Sequence, residues 1–292
     1  MKKAKGKSKK AKFILFFAFL ACFAVNLSAQ NLDAIAEKIN YGDVEQRREA
    51  LFQIRNLQTV EASRLAIPML ADADEIVRAT ATHSVIYLSN QESANLLLPL
   101  LNDKSEFVRR ETAYALGKVH QPKAVNPLIE TFQKDKILEV KNAVIVALGE
   151  IGDVSAVDFL TKLLQKKPKD EEDFLRRASA RSIGQIAKFI QTRQTETVTP
   201  TSFLPEKFKI VEKPKFDNLV ENFTIFQTVI NVLIQVLQNP KESNDTRRES
   251  AFALGETRNQ SALSILQSNL NNSDYYLAEI CRESLDKINK PK

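Results

Sequence analysis

Apolar residues recur along this chain with a helical spacing, in units of just over 30 residues. Each unit has a reference residue directly before a position that is basic in six of the seven units. The reference residues are Gln46, Val77, Val108, Val140, Leu175, Thr246 and Leu277. They are separated by 31, 31, 32, 35, 71 and 31 residues, and the interval of 71 indicates an insertion.

Residues at fixed distances after these reference positions show which side of a helix is buried. The residue eight positions later is always apolar: Ile54, Val85, Leu116, Leu148, Ile183, Leu254 and Leu285. The residue four positions later is small or β-branched, and the residue eleven positions later is apolar except for Thr257. Offsets 0, 4, 8 and 11 share one face of an α-helix, so each unit begins with a helix that packs along this stripe.

A second apolar segment follows the first helix in each unit. The segments are 124–132 and 156–164, with further examples at 66–70 and 94–101. Each unit therefore reads as a helix–turn–helix pair, and one pair must stack on its neighbours to bury both faces. We expect an all-α fold, a right-handed α-solenoid of about seven such repeats.

Glycine recurs nine residues after the reference position, at Gly117, Gly149, Gly184 and Gly255. Glycine inside a helix costs about 1 kcal/mol relative to alanine, so its recurrence needs a structural reason. The pattern indicates either close approach of a neighbouring helix or a bend near the helix end.

The segments at 103–119 and 140–157 resemble the short HEAT-like repeat first associated with phycobilin lyases. They share an apolar–basic step, small residues and Ala-Leu-Gly, and the second adds Gly-Asp and Ala-Val. The resemblance covers most of residues 42–190 and 241–288. It implies that recurrent Asp and basic residues form ladders between repeats, which gives a structural role to Arg78, Arg109, Lys141, Arg176 and Arg247. Such repeats serve many unrelated functions, so the resemblance does not specify an activity.

The first 29 residues have the composition of a signal peptide. A lysine-rich start precedes an apolar run at 13–25, which is short for a membrane span, and Leu27-Ser28-Ala29 permits cleavage before Gln30. We therefore expect an exported protein, periplasmic or extracellular, whose solenoid occupies residues 30–292. Two alternatives remain open, an uncleaved N-terminal anchor and a lipid anchor at Cys22.

The positive net charge arises from the same leader. Seven of the 42 basic residues lie before residue 13, and without them 35 basic residues stand against 36 acidic ones. A nearly neutral protein has no overall field to attract a phosphate backbone, so we do not expect nucleic-acid binding.

Residues 191–216 differ from the repeats in containing alternating threonines and three prolines. The stretch is too long for an ordinary connection between helices, so it is interpreted as an inserted loop that is either functional or merely tolerated. A helix near 217–238 is expected to complete the fifth repeat. An amphipathic helix at 31–40 is expected to cap the first repeat.

No residue pattern points to catalysis, a metal or a cofactor. His83 and His120 lack a histidine or cysteine three or four residues away, as metal binding would favour. Deoxyhypusine hydroxylase also resembles this repeat family, but its iron site requires His-Glu pairs, and here Ser84 and Gln121 follow the histidines. Cys281 occupies a small packing position, and a reactive thiol is the less favoured interpretation.

The sequence therefore favours a non-catalytic scaffold that binds a protein or peptide through the solenoid surface. Its binding residues and oligomeric state are not specified by the sequence. One alternative is an accessory subunit or chaperone-like partner of an enzyme, with a lyase-like or hydroxylase-like role by family association alone. Another is an envelope protein held at the membrane by the N-terminal segment.

Overall fold

The computed structural model describes residues 31–168, 172–192 and 218–289, and within these ranges the regular structure is helical throughout. The chain forms two compact units that divide between Ser89 and Asn90. The predicted leader and the stretch 193–216 of the predicted insertion lie outside the described residues.

The first unit contains the helices α1 (31–41), α2 (Val44–Leu57), α3 (Val60–Ala66) and α4 (Glu75–Ser84). Helix α1 buries Ile35 and Ile39, as expected for an amphipathic helix. Helix α2 begins at a capping box, in which the Asp43 carboxylate accepts from the Gln46 amide and the Gln46 side chain accepts from the Asp43 amide.

The second unit contains ten α-helices in its described residues. They are α5 (Asn90–Leu97), α6 (Glu106–Val119), α7 (Val125–Lys134), α8 (Leu138–Ile151), α9 (Val157–Gln165), α10 (Asp173–Thr192), α11 (Ile225–Gln238), α12 (Asn244–Thr257), α13 (Leu263–Ser268) and α14 (Tyr275–Asn289). Successive first helices α6, α8, α10, α12 and α14 stack side by side. Helix α11 packs against α9 and α12, so it completes the fifth repeat as predicted.

The predicted stripe is the buried face of the first helices. All seven residues at offset 8 and all seven at offset 4 are buried. Thr257, the polar exception at offset 11, is fully buried and donates its hydroxyl to the Leu254 carbonyl at 2.7 Å. The exposed exception is Gln46, which serves the capping box instead of the core.

The second helices of the first two repeats begin earlier than the apolar pattern predicts. The segment predicted at 66–70 is the end of an element that starts with α3 at Val60, where the Thr59 hydroxyl accepts from the Ala62 amide. Its last part is a 3-10 turn at Ile67–Ala71, and Leu98–Asn102 repeats this after α5. Pro68 and Pro99 cause the change, because proline cannot donate the hydrogen bond that an α-helix requires there.

Helix α4 ends earlier than predicted, at Ser84, so Val85 and Leu88 are buried from a turn and not from the helix. The Ser63 hydroxyl donates to the Ser84 carbonyl at 2.7 Å, and the Leu88 amide donates to Val85. The Ser84 carbonyl thus accepts a hydrogen bond from a side chain of α3, whereas in a continuing helix it would accept one from a backbone amide.

The recurrent glycines mark close approach between successive first helices, which was one of the two interpretations of their spacing. A Cβ placed on Gly255 would lie 2.8 Å from the Ser284 Cα, and one on Gly184 would lie 3.0 Å from the Ala253 Cα. Hydrogen therefore occupies positions where even a methyl group would force neighbouring helices apart.

Serine at the same interface adds a hydrogen bond that the sequence pattern did not reveal. The hydroxyls of Ser182 and Ser284 each donate at 2.9 Å, to the Ile145 and Ala251 carbonyls of the preceding first helix. These serines lie seven residues after the reference position. Small size there lets the side chain reach the backbone of its neighbour.

The insertion is closed at its base by Gln191, which lies in the last turn of α10 together with Thr192. The buried Gln191 amide group donates to the Asn218 side chain at 2.6 Å, and its oxygen accepts from the Leu219 amide at 3.1 Å. The helix therefore extends two residues into the stretch predicted as a loop.

Candidate interaction surface

In each repeat except the second, the residues at positions −1, 2 and 6 relative to the reference residue lie on the side of the first helix away from the buried stripe; in the second repeat Ala79 and His83 are buried. At position 2 four repeats carry arginine, namely Arg48, Arg110, Arg177 and Arg248. At position −1 four carry an apolar residue, namely Ile76, Phe107, Phe174 and Tyr276. We name one part of this side, formed by α10, α12 and α14, the arginine–tyrosine surface; it comprises Arg177, Arg181, Arg248, Phe252, Tyr275 and Tyr276.

One carboxylate joins two arginines of this surface. Asp245 accepts from the Arg177 Nη1 at 3.0 Å through one oxygen and from the Arg248 Nη1 at 2.6 Å through the other. Because Asp245 is in the first turn of α12, its charge also interacts favourably with the positive end of that helix. Asp245 thus holds the guanidinium groups of Arg177 and Arg248 next to each other.

Arg248 is held most firmly, because it also binds Asp274 of the next repeat. Its Nε and Nη2 donate to the two Asp274 oxygens at 3.2 and 2.6 Å. Burial alone would raise the pKa of Asp274, but hydrogen bonds from Arg248 and from the Leu277 backbone bring that pKa below its ordinary value. The Asp274 carboxylate is therefore ionised at neutral pH and fixes the guanidinium in place.

Two adjacent tyrosines project from the start of α14. Tyr275 and Tyr276 are 68% and 66% exposed, and their rings meet edge to face with centroids 5.8 Å apart. The Arg248 guanidinium carbon lies 5.2 Å from the centre of the Tyr276 ring. A cation at this distance from an aromatic face is attracted to it, which helps to order the exposed ring.

Arg181, one turn beyond Arg177, extends the surface across α12. Its Nη1 lies 3.1 and 3.2 Å from the two Glu249 oxygens, and its guanidinium carbon lies 5.8 Å from the Phe252 ring centre. Lys287 of α14 approaches the same ring at 5.3 Å and pairs with Glu256 at 2.8 Å. The surface therefore combines fixed cations with aromatic rings.

A groove lies in the same unit, at the turns that precede α6 and α8. It has a volume of about 550 Å³, and its lining includes Leu98, Glu106, Arg109, Lys134 and Asp135. The groove is wide and carries both charge signs. Arg109 in this groove forms an ion pair with Asp135 that joins two repeats, so the groove is not assigned as the binding site.

That arginine belongs to the ladder which the family resemblance implied. Arg109 donates to the two Asp135 oxygens at 2.6 and 3.1 Å and also to the Asp103 carbonyl. Hydrogen bonding to Asp135 raises the pKa of Arg109, while Asp135, despite its burial, has a pKa below its ordinary value. The pair is a structural rung between consecutive repeats.

The other predicted ladder residues have related roles. Arg176 is buried, pairs with Glu242 and donates to the Leu164 carbonyl at the end of α9. Arg247 donates to the Leu237 carbonyl at 3.0 Å and to the Asn269 side chain at 3.3 Å.

Arg78 and Lys141 complete the predicted set. Arg78 donates to the Asp72 and Ala73 carbonyls at 2.8 and 3.0 Å, so it too caps a turn. Lys141 differs, because its ammonium group lies 5.3 Å from the Phe132 ring centre and so makes a cation–aromatic contact.

The histidines and the cysteine are placed in structural positions. His120 ends α6 with a φ of 52°, and its Nδ1 donates to the Glu150 carbonyl at 2.6 Å. His83 is buried in α4. Cys281 is buried in α14, and burial raises the pKa of its thiol to about 11, so the thiol is protonated at neutral pH.

Within the described ranges, no group of three or more His, Cys, Asp or Glu side chains could hold a metal ion. Across the same part of the chain, no helix combines the length and the apolar character needed to cross a membrane.

The sequence alone did not identify the arginine–tyrosine surface. The signal was present in the repeat register, since arginine recurs at position 2 and apolar residues at position −1. What the register did not show is that position 2 of one repeat contacts position −1 of the next, as Arg248 contacts Tyr276.

Comparison with known families supports the repeat assignment. The family model for HEAT repeats matches residues 63–145 and 96–184, and the model for the PBS lyase HEAT-like repeat matches residues 246–272. Together the matches span just over half of the chain. A search of curated proteins gives no match.

Solved structures resemble the chain at low sequence identity. An engineered protein from the Northeast Structural Genomics Consortium has 16% identity and a TM-score of 0.51, covering 91% of this chain and 70% of its own. The complex of CpcE and CpcF of phycocyanin lyase from Nostoc sp. PCC7120 has 17% identity and a TM-score of 0.47, covering 88% and 94%. Human deoxyhypusine hydroxylase in complex with glycerol has 17% identity and a TM-score of 0.41, covering 91% and 98%. At such identities a likeness concerns the fold alone.

Proposed function

We propose that this chain, which belongs to the HEAT-repeat proteins of the PBS lyase HEAT-like type, is an exported, non-catalytic scaffold that binds a protein or peptide. The observation that supports this function is the exposed Tyr275–Tyr276 pair beside the fixed Arg248 guanidinium. Tyrosine and arginine are enriched among the residues that dominate binding energy at protein interfaces.

The arrangement also reduces the entropy that binding would cost. Arg248 is held by two carboxylates, and each tyrosine has only two side-chain torsions to fix. A surface ordered before the partner arrives loses less conformational freedom on association. Aromatic rings at an exposed helix start can then contact an apolar group without a deep pocket.

The first experiment is crosslinking in the native host, followed by affinity capture of the chain and identification of the crosslinked protein. The double variant Tyr275→Ser, Tyr276→Ser should lose that partner, with affinity reduced at least about 30-fold, because a hot-spot residue contributes roughly 2 kcal/mol or more. Tyr41→Ser is the matched control, since Tyr41 is 87% exposed but lies in the first unit. Equal capture by the wild-type chain and the double variant would contradict the proposed surface.

The insertion provides a second arm of the same experiment. Because Gln191 holds the two ends of the insertion together, residues 193–217 can be replaced by a short glycine–serine linker with the flanking contacts intact. If capture survives this deletion and fails in the tyrosine variant, the arginine–tyrosine surface is the docking element. If the deletion alone abolishes capture, the insertion binds the partner and the surface assignment is wrong.

Export is a separate part of the proposal and rests on the basic, apolar and small-residue order of residues 1–29. Mass spectrometry of the protein from envelope and culture fractions should find an N-terminus at or near Gln30. A lipid-modified Cys22, or an intact leader that stays with the membrane after salt washing, would favour the anchored alternative. An intact chain confined to the cytoplasm would contradict export.

A further inference from the structure

The two charge signs of the arginine–tyrosine surface are exposed to different extents. The Arg177 and Arg181 side chains are 47% and 58% exposed, whereas those of Glu249 and Asp274 are 20% and 6% exposed. Glu249 and Asp274 are therefore less exposed than the guanidinium groups of Arg181 and Arg248 that they bind. Asp245 is 46% exposed, about as much as Arg177, but both of its oxygens already accept from arginine.

Both exposed arginines keep unused hydrogen-bond donors. In the described part of the chain, Arg177 and Arg181 donate through Nη1 alone, and a guanidinium has five N–H groups. Their Nε and Nη2 groups can form the parallel pair of hydrogen bonds that a carboxylate accepts. Arg248 differs, since its Nε, Nη1 and Nη2 all donate to aspartate.

These cations adjoin the exposed rings without a break. Arg177 and Arg248 share Asp245, Arg248 lies against Tyr276, and Tyr276 contacts Tyr275. One extended segment could therefore place carboxylates on the arginines and an apolar side chain on the tyrosines. Alternating acidic and apolar residues would match both parts.

We infer that the arginine–tyrosine surface binds an acidic peptide segment of its protein partner, with carboxylates at Arg177 and Arg181 and an apolar side chain against Tyr275 and Tyr276. This inference rests on the proposed scaffold function and adds the chemical class of the partner.

The test uses the protein as purified from its host and measures binding by fluorescence anisotropy. The probes are a short labelled peptide of alternating Glu, Leu and Tyr, the same peptide with Gln in place of Glu, and a labelled single-stranded oligonucleotide. The acidic peptide should bind at least about tenfold more tightly than the Gln peptide, because only a carboxylate forms the charge-assisted pair. Tighter binding of the oligonucleotide, or equal binding of the two peptides, would overturn the inference.

Matched variants distinguish binding at this surface from a general effect of positive charge. Arg177→Gln with Arg181→Gln should weaken the acidic peptide at least about tenfold, whereas Lys118→Gln with Lys188→Gln, also exposed on first helices, should leave binding unchanged. Equal loss in both double variants would show a non-specific charge effect and refute the site. Circular dichroism confirms that each variant is folded.

The same variants distinguish failure of this inference from failure of the proposed function. If the tyrosine variant loses the crosslinked partner while the arginine variant retains it, the scaffold function stands and the acidic-partner inference is wrong. If neither variant loses the partner, the chain still binds a protein, but the proposed surface and the acidic-partner inference are both wrong. Loss in both, with competition by the acidic peptide but not by its Gln form, supports both.

Discussion

Helices α6 and α8 stack by the same geometry as α10, α12 and α14, yet their outer sides differ in chemistry. On α8 the outer positions carry Glu139, Asn142 and Val146, and on α6 Arg110 lies 4.9 Å over Phe107 of its own helix. On α10 and α12 the arginines instead reach acids and rings of the next repeat. The buried stripe and the glycines therefore determine how repeats stack, while the outer positions can change without disturbing the stacking.

The largest effect should come from the stacking glycines. Gly255→Ala should lower the free energy of unfolding by about 3 kcal/mol, because the added methyl would lie 2.8 Å from the Ser284 Cα, a backbone atom that cannot move alone. Gly117→Ala should cost less, since its nearest atom is the flexible end of Glu150 and its nearest backbone atom, the Ala147 Cα, lies 3.0 Å away. Urea unfolding measures both, and similar losses at the two positions would contradict this account.

The next effect concerns the cation that joins α12 to α14. Arg248→Met should destabilise the protein by about 2 kcal/mol, because it leaves the nearly buried Asp274 without its cation. Asn142→Met, at the same position of α8, is the control and should change stability by less than about 0.5 kcal/mol. Thermal unfolding followed by circular dichroism compares them. A neutral Arg248→Met would mean that Asp274 is stabilised by its backbone contacts alone.

Acidification should weaken the ion pair of Asp135 with Arg109 and that of Asp274 with Arg248. The folded-state pKa values of Asp135 and Asp274 are lowered, so their stabilisation is fully present above the pKa of the unfolded chain and is lost as pH falls through the folded values. Stability should therefore fall below about pH 4. Asp135→Asn with Asp274→Asn should reduce this dependence, as measured by urea unfolding across pH. An unchanged slope would show that other carboxylates dominate.

The smallest effect is expected in the core of α6 and α12. Thr112 of α6 is fully buried, and its hydroxyl has no hydrogen-bond partner among the described residues, whereas Ser250 at the same position of α12 donates to the Thr246 carbonyl at 2.8 Å. Thr112→Val should raise stability by about 1 kcal/mol by removing an unsatisfied polar group. Ser250→Ala should not raise it. Calorimetry of both variants decides, and destabilisation by Thr112→Val would indicate a bound water.

Sequence reasoning recovered the fold because burial repeats at fixed offsets, as Leu116, Leu148 and Leu254 show. It misplaced the start of α3, because the 3-10 turn at Pro68 broke the helical spacing of the apolar residues. The end of α4 was missed for another reason, since it depends on a hydroxyl of Ser63 from a neighbouring helix. The local sequence pattern predicts which residues of a helix are buried, but not the hydrogen bonds that a neighbouring helix donates to it.

The candidate surface could be predicted only in part. The arginines and aromatic residues are visible in the repeat register, but the register does not distinguish a guanidinium with unused nitrogens from one in which all three nitrogens donate. Arg177 and Arg248 occupy the same position and differ in this respect, because Asp274 has no counterpart that binds Arg177 in the same way. That distinction requires three-dimensional contacts.

The clasp formed by Gln191 with Asn218 and Leu219 has a consequence for how this chain tolerates change. Because Gln191 binds both Asn218 and Leu219, the chain that leaves the end of α10 rejoins the helical array at the same point. Doubling the length of a loop whose ends are fixed costs only about 0.6 kcal/mol in closure entropy. This position is therefore a tolerant insertion site, where evolution or protein engineering could add a folded domain without disturbing the helices on either side.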